Sequence, residues 1–62
     1  MNSRLKDICK EKGITPYKMG KDLGIRMPMM YRYTNNQGHP KYDRMVKIAN
    51  YLQMEVNEIW QT

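Results

Sequence analysis

The chain has 62 residues and a formal net charge of +5. A chain this short buries only about 60% of its unfolded surface, so nearly every apolar position is expected to serve the core. Cys9 is the lone cysteine and no Cys/His cluster has zinc-ligand spacing, which excludes an internal disulfide and favours neither metal nor cofactor. No apolar run is long enough to span a bilayer. We therefore expect one soluble domain over residues 1–62, without a small-molecule ligand, in a reducing cytoplasm.

The positive charge is unevenly distributed along the chain. Residues 15–44 carry a net +4, residues 1–14 carry +2, and residues 45–62 carry −1. A field concentrated in this way suits a polyanionic partner, through Coulomb attraction and counterion release. A solvated lysine-rich surface that only aids solubility explains the charge alone equally well.

The first predicted helix follows Asn2 or Ser3, either of which can cap it. Gly13 is suited to the left-handed residue that ends it. Three apolar side chains at i, i+3, i+4 spacing form its inward face: Leu5, Ile8 and Cys9.

The second helix has strong start and stop signals. Thr15 offers a capping hydroxyl, and Pro16 stands at the first helical position, where no backbone N–H is needed. Gly24 ends the helix, and Gly20 in its interior indicates that another helix crosses closely. The inward side chains are Met19 and Leu23.

The third helix is expected from about Arg26 to Asn35, with Pro28 tolerated only in its first turn. Met29 is expected to be flexible core filler, as methionines often are. The inward residues are Met30, Tyr33 and Thr34. The outward residues are Met27, Pro28, Tyr31, Arg32 and Asn35.

The rest of the chain predicts a polar loop over residues 35–40 and two further helical segments. The fourth helix runs from about Tyr42 to Leu52, and a last turn covers Val56 to Trp60. The inward stripe of the fourth helix is Tyr42, Met45, Ile48, Ala49 and Leu52. No strand signal is present, so the expected fold is all-α, a compact bundle of about five short helices.

A helix, a turn at Gly24 and a second helix with an outward basic face follow the helix-turn-helix plan, in which the second helix enters the DNA major groove. The pattern alone is common. More specific segments extend along the chain: Glu11-Lys12-Gly13-Ile14-Thr15, Leu23-Gly24-Ile25, Arg32 with Asn35, Pro40, Lys47-Ile48-Ala49 and Val56-Asn57-Glu58-Ile59-Trp60. From about Leu5 to Trp60 the chain thereby resembles the Cro/C1-type (Xre-like) helix-turn-helix proteins.

The resemblance implies a lambda-repressor-like DNA-binding domain with its helix-turn-helix at helices two and three. It also implies that Trp60 is the aromatic side chain that closes the core, although Ile59 and Trp60 at the chain end would also suit a dimer contact. A repressor of the Cro or C1 kind is the expected regulator, and an antitoxin-like autoregulator belongs to the same class.

The chain departs from the family in ways that limit what can be transferred. The family commonly has Arg at Cys9 and Glu at Thr34; breaking one side of such a buried pair costs about 3–5 kcal/mol, whereas replacing both can be nearly neutral. Cys9 and Thr34 are therefore expected to be neighbours. Pro16 replaces a Gln that contacts phosphate, and Arg26 replaces a Ser or Thr cap. With residues 27–29 also altered, the docking plan transfers but the preferred DNA sequence does not.

Four side chains of the third helix are candidates for base readout. Arg32 can donate two hydrogen bonds to guanine O6 and N7, worth about 1–3 kcal/mol of discrimination, or it can contact phosphate or form a surface salt bridge. Met27 and Pro28 can read only thymine methyl groups or DNA shape. Tyr31 can contact sugar or phosphate, or simply cover a neighbouring helix.

Phosphate contacts are expected near helix N-termini, where amide groups and basic side chains favour anions. Those from the helix starts are Thr15, Tyr17, Lys18, Arg26, Lys41, Tyr42 and Arg44. The resemblance adds the loop residues Asn35, Asn36, Gln37 and His39. His39 is interpreted as a loop residue rather than a ligand or pH switch.

No nucleophile and base can be assembled from one Cys and one His without paired carboxylates, so an enzyme is not expected. The leading hypothesis is a sequence-specific regulator that binds double-stranded DNA, as a homodimer at least when bound to a palindromic operator. The alternative is a protein-binding adaptor or antirepressor-type module that keeps the fold and uses the face of Met27, Pro28 and Tyr31.

Overall fold

The computed structural model describes residues 2–61; Met1 and Thr62 of the expected domain lie outside this range. The described helices are α1 (Leu5–Lys12), α2 (Pro16–Leu23), α3 (Met27–Thr34), α4 (Tyr42–Leu52) and α5 (Val56–Ile59). The strands are β1 (Asn2–Ser3) and β2 (Trp60–Gln61). The predicted bundle of five short helices is confirmed.

The two strands correct the expectation that the chain forms none. They pair antiparallel, with Asn2 opposite Gln61 and Ser3 opposite Trp60. The amide of Arg4 adds a 2.8 Å hydrogen bond to the carbonyl of Ile59. Two-residue strands are too short to show an alternating pattern, and their partners are at opposite ends of the chain, so no local signal predicts them. Trp60 consequently belongs to β2 rather than to the last helical turn.

The helix ends follow most of the local signals. Gly13 and Gly24 are left-handed, with φ of 69° and 73°, and the Thr15 hydroxyl accepts a 3.1 Å hydrogen bond from the amide of Lys18. The N-cap of α1 is Arg4 rather than Asn2 or Ser3, because β1 holds those two residues extended. The Ser3 hydroxyl still accepts a 3.1 Å hydrogen bond from the amide of Leu5.

Every helix contributes buried side chains to one hydrophobic core. The most deeply buried side chains are Leu5, Ile8, Met19, Met30, Ile48, Leu52 and Ile59. Trp60 is buried against them, as expected for a closing aromatic, and its Nε1 has no hydrogen-bond partner among residues 2–61. No helix of that range is long and apolar enough to cross a membrane.

Tyr42 corrects the predicted inward stripe of α4, since 68% of this residue is exposed. It is the first residue of the helix, and helical side chains point back toward the N-terminus. Its ring therefore extends beyond the core, which begins one turn later at Met45.

Gly20 allows α2 and α3 to pack against each other at close range. A Cβ atom built at Gly20 would lie 2.7 Å from the carbonyl oxygen of Ile25 and 2.7 Å from Cγ of Met30. The same turn is tied by a 2.7 Å hydrogen bond from the amide of Ile25 to the carbonyl of Gly20. Because one obstacle is backbone, a side chain at this position requires the two helices to move apart.

We expect Gly20→Ala to lower the free energy of unfolding by about 1–3 kcal/mol, the usual cost of overpacking, although alanine has the higher helix propensity. Thermal and urea unfolding measure this change. Gly38→Ala is the matched control, because its Cβ would meet only the Arg32 guanidinium, at an ordinary 3.8 Å. A Gly20→Ala variant as stable as the wild-type chain would contradict the close approach.

A second contact ties α2 to α4 by hydrogen bonding. The hydroxyl of Tyr51 donates a 2.6 Å hydrogen bond to Oδ2 of Asp22, which also lies 3.8 Å from Nζ of Lys18. The hydrogen bond to Asp22, assisted by burial and by the charge of the carboxylate, raises the pKa of Tyr51 above its ordinary 10.0. The protonated phenol therefore favours the folded state.

We expect Tyr51→Phe to lower the midpoint of thermal unfolding at neutral pH, because Asp22 loses its donor. Since the folded-state pKa of Tyr51 is the raised one, the stabilisation is complete below pH 10.0 and disappears as the pH rises through the raised value. The midpoints of wild type and variant should therefore converge in strong alkali. Tyr42→Phe, at an exposed tyrosine of the same helix, should leave the midpoint unchanged throughout.

Candidate nucleic-acid interface

α2 and α3 form a helical hairpin whose hinge is Gly24. Gly24 donates its amide to the carbonyl of Gly20, and its left-handed conformation turns the chain toward α3. Arg26 is extended at the start of α3, and Pro28 stands in the first turn, as expected. The packing at Gly20 then determines which face of α3 is left uncovered.

The uncovered face of α3 is a ridge formed by Pro28, Arg32 and Asn35. Successive residues of an α-helix are rotated by about 100°, so these three exposed residues share one side. Tyr31, 53% exposed, lies on one flank of this ridge, and Met29, 38% exposed, lies on the other. The exposed ridge therefore runs along the length of α3, and it includes the basic side chain of Arg32 and the polar side chain of Asn35.

A cleft of about 430 Å³ lies on the Tyr31 flank, between α1, the start of α2 and α3. We refer to it as the Lys10 cleft. It brings together three residues expected at the DNA: Thr15, Tyr31 and Asn35. It also includes two α1 side chains that the sequence analysis does not assign to any site, Lys6 and Lys10.

Cys9 and Thr34 both line the Lys10 cleft, in agreement with the prediction that these two replacements are neighbours. Both residues are buried, and the Thr34 hydroxyl donates a 3.1 Å hydrogen bond to the carbonyl of Tyr31. Burial raises the pKa of the Cys9 thiol, which keeps it protonated and neutral near neutral pH. The floor of the cleft therefore carries no ionic charge from this pair.

A second cleft, of about 470 Å³, lies on the Met29 flank between α3 and the start of α4. We refer to it as the Arg44 cleft. It brings together three predicted phosphate ligands, His39, Lys41 and Arg44. Nη1 of Arg44 donates a 3.1 Å hydrogen bond to the hydroxyl of Tyr33, which fixes the guanidinium at the cleft wall.

Comparison with known protein families identifies the kind of domain that carries this ridge and its two flanking clefts. The family described as the Cro/C1-type HTH DNA-binding domain matches residues 4–62. The chain belongs to this family. No curated protein matches the chain at a significant level.

The match covers all five helices, so the resemblance carried by the scattered sequence segments is confirmed. The helix-turn-helix of this Cro/C1-type domain comprises α2, the turn at Gly24 and α3. DNA binding is the role that the family description gives to such a domain.

The four candidates for base readout occupy different environments in the Cro/C1-type domain. Pro28, Tyr31 and Arg32 are exposed, whereas Met27 is half-buried. Nε and Nη2 of Arg32 lie 3.8 Å from the point where a Cβ on Gly38 would be, so the guanidinium lies against the loop. Gly38 leaves room for that side chain at the end of α3.

Met29 corrects the expectation that it fills the core. Met30, the next residue, takes the fully buried position, and a rotation of about 100° per residue turns Met29 onto the flank of the helix. It lines the Arg44 cleft instead. The number of methionines in the chain does not reveal which of them are covered.

The remaining predicted phosphate ligands are exposed but line neither cleft. Lys18 is partly engaged by Asp22, at 3.8 Å. Asn36 adopts a left-handed φ of 60°, which turns the chain after α3. The full set outside the clefts is Tyr17, Lys18, Arg26, Asn36, Gln37 and Tyr42.

Lys6 and Lys10 lie at this surface although the sequence did not predict them there. They stand at i and i+4 on α1, each one residue after an inward apolar side chain, Leu5 and Cys9 respectively. That spacing places both on one side of α1. The sequence contains this signal, but it does not tell which element lies beside that side of the helix.

Proposed function

We propose that the chain is a sequence-specific transcriptional regulator, of the Cro/C1 repressor kind, that places α3 in the DNA major groove. The observation that supports this most directly is the exposed ridge of α3 with a cleft of basic side chains on each flank. A B-DNA major groove about 12 Å wide admits one α-helix. The two sugar-phosphate strands that border the groove would then face the two clefts.

The proposed roles along α3 follow from the chemistry of the exposed side chains. Arg32 reads a guanine through two hydrogen bonds to O6 and N7, after leaving its position against Gly38. Pro28 contacts a thymine methyl group, to which half-buried Met27 adds a smaller apolar contact. Tyr31 lies closer to the backbone, where its ring packs on sugar and its hydroxyl reaches phosphate.

Phosphate contacts come from both flanks in this proposal. Arg44 and Lys41 hold one strand from their cleft, together with His39, and Thr15 and Asn35 face the other strand. Tyr17, Lys18, Arg26 and Tyr42 stand at helix starts, and Asn36 and Gln37 in the loop after α3. Contacts of this kind fix orientation without selecting sequence.

The length of α3 supports binding as a homodimer on a palindromic operator. α3 has eight residues and is therefore about 12 Å long at 1.5 Å per residue. At about 3.4 Å per base pair, it spans only three or four pairs. Two copies related by two-fold symmetry would read half-sites one helical turn apart and double the recognised sequence.

Selection from a pool of random duplexes tests the proposal. We expect an enriched palindromic motif, and binding to it should weaken steeply with salt, with a log–log slope of about −0.9 per phosphate contacted. Fluorescence anisotropy on the selected duplex measures both. No enrichment together with a shallow salt slope would refute DNA reading. Competition by a protein partner that needs Tyr31 would then favour the adaptor alternative.

The base-reading role of Arg32 predicts a specific loss on substitution. Arg32→Ala should relax preference at one base position per half-site, by about 1–3 kcal/mol, and leave preference elsewhere in the motif unchanged. Repeated selection with the variant protein reports this position by position. Lys47→Ala is the control, because it removes one exposed positive charge of α4 outside both clefts. Uniform weakening by Arg32→Ala that exceeds the effect of Lys47→Ala, with no change in base preference, would make Arg32 a phosphate contact instead.

A further inference from the structure

The charged residues that line the Lys10 cleft are both lysines, and the rest of its lining is uncharged and mostly apolar. Lys6 and Lys10 line it, and no Asp or Glu is among the residues around it. The Arg44 cleft differs, because Asp43 is part of its wall and Arg44 already donates to Tyr33. Of the two flanks of α3, the Tyr31 flank therefore has the less neutralised positive charge.

Neither lysine forms an ion pair within 4.0 Å among the described residues. Among residues 2–61 the ion pair within 4.0 Å is between Lys18 and Asp22, away from α1. Lys6 and Lys10 are like charges at i and i+4 on one helix, a spacing at which they repel each other. An anion held between the two amino groups relieves that repulsion.

The floor of the Lys10 cleft offers no charged group to an anion, so binding of an anion there depends on Lys6 and Lys10. Cys9 and Thr34 are uncharged, and the Thr34 hydroxyl is already directed at the carbonyl of Tyr31. Pro16, at the first position of α2, has no backbone N–H to donate. The Thr15 hydroxyl accepts from the backbone amide of Lys18 and keeps its O–H as a neutral donor, which is weaker than a charged one. The strongest donors at the cleft are therefore the amino groups of α1.

The position of the cleft determines which anion comes within reach. Tyr31 and Asn35 belong both to the cleft wall and to the exposed side of α3, so the cleft opens directly beside the ridge. When the ridge lies in a major groove, the neighbouring surface meets one of the two bordering strands. That strand presents a row of phosphates, one per nucleotide.

We propose that Lys6 and Lys10 hold the phosphate backbone of one DNA strand at the Lys10 cleft. α1 then acts as a positioning element for the helix-turn-helix, on the opposite flank of α3 from Arg44. This inference rests on the proposed DNA-binding function. It adds two contacts from a helix outside the helix-turn-helix, which determine the orientation of α3 in the groove without reading bases.

The test is the salt dependence of binding to the selected duplex, measured by fluorescence anisotropy with wild type, Lys6→Gln, Lys10→Gln and the double variant. We expect the log–log slope to become shallower by about 0.9 for each single variant and by about 1.8 for the double variant. Selection with the double variant should return the wild-type motif, since phosphate contacts carry no sequence information.

Lys12→Gln is the matched control, because it removes an exposed lysine of the same helix that does not line the cleft. It should keep the wild-type slope. Lys6→Arg with Lys10→Arg should restore the slope, which separates loss of a contact from loss of folding. An unchanged slope in the Gln double variant, or an equal change in Lys12→Gln, would overturn the inference. A wild-type chain that selects no duplex would instead refute the proposed function itself.

Discussion

The close packing of α2 on α3 at Gly20 is the contact on which the rest of this surface depends. A Cβ atom at Gly20 would collide with the Ile25 carbonyl and with Met30, so there is no space for a side chain between the helices. The rotation of α3 about its own axis is set at the same point, because Met30 fills the buried position. Arg32, two residues further along, is thereby directed outward. A small change at the crossing would rotate the whole exposed ridge.

A small number of polar contacts hold the α2–α3 hairpin against the rest of the domain. Tyr51 connects α4 to α2 through Asp22, and Arg44 connects α4 to α3 through Tyr33. The strand pair β1–β2 joins the two ends of the described chain. Each contact joins two different elements of the chain, which supplements the limited core of so short a chain.

The charge distribution acquires a function only through this packing. Cationic side chains from α1 and from the start of α4 lie on opposite flanks of α3, although the two segments are more than thirty residues apart in sequence. The centre of the surface is less charged than its borders, with Pro28, Tyr31 and Met29 near the ridge. Such an arrangement suits a duplex groove, where bases lie at the centre and phosphates at the edges.

The sequence by itself determined the helices, because their signals are local. Gly13, Gly24 and Thr15 act within a few residues of chain, and their roles were predictable from steric and capping rules alone. That Cys9 and Thr34 line one cleft agrees with the expectation from the family's pattern, in which an Arg and a Glu pair at these two positions. The outward direction of Arg32 followed from helical periodicity.

Only the tertiary structure decided what depends on elements far apart in the chain. It paired β1 with β2, exposed Tyr42, turned Met29 outward and left Met27 half-buried. It also brought Lys6 and Lys10 beside α3. The physical reason is the same in each case. Helical periodicity shows which side of a helix is apolar, but whether the residues at the edges of that side are buried depends on which element packs beside them. Local sequence does not specify that neighbouring element.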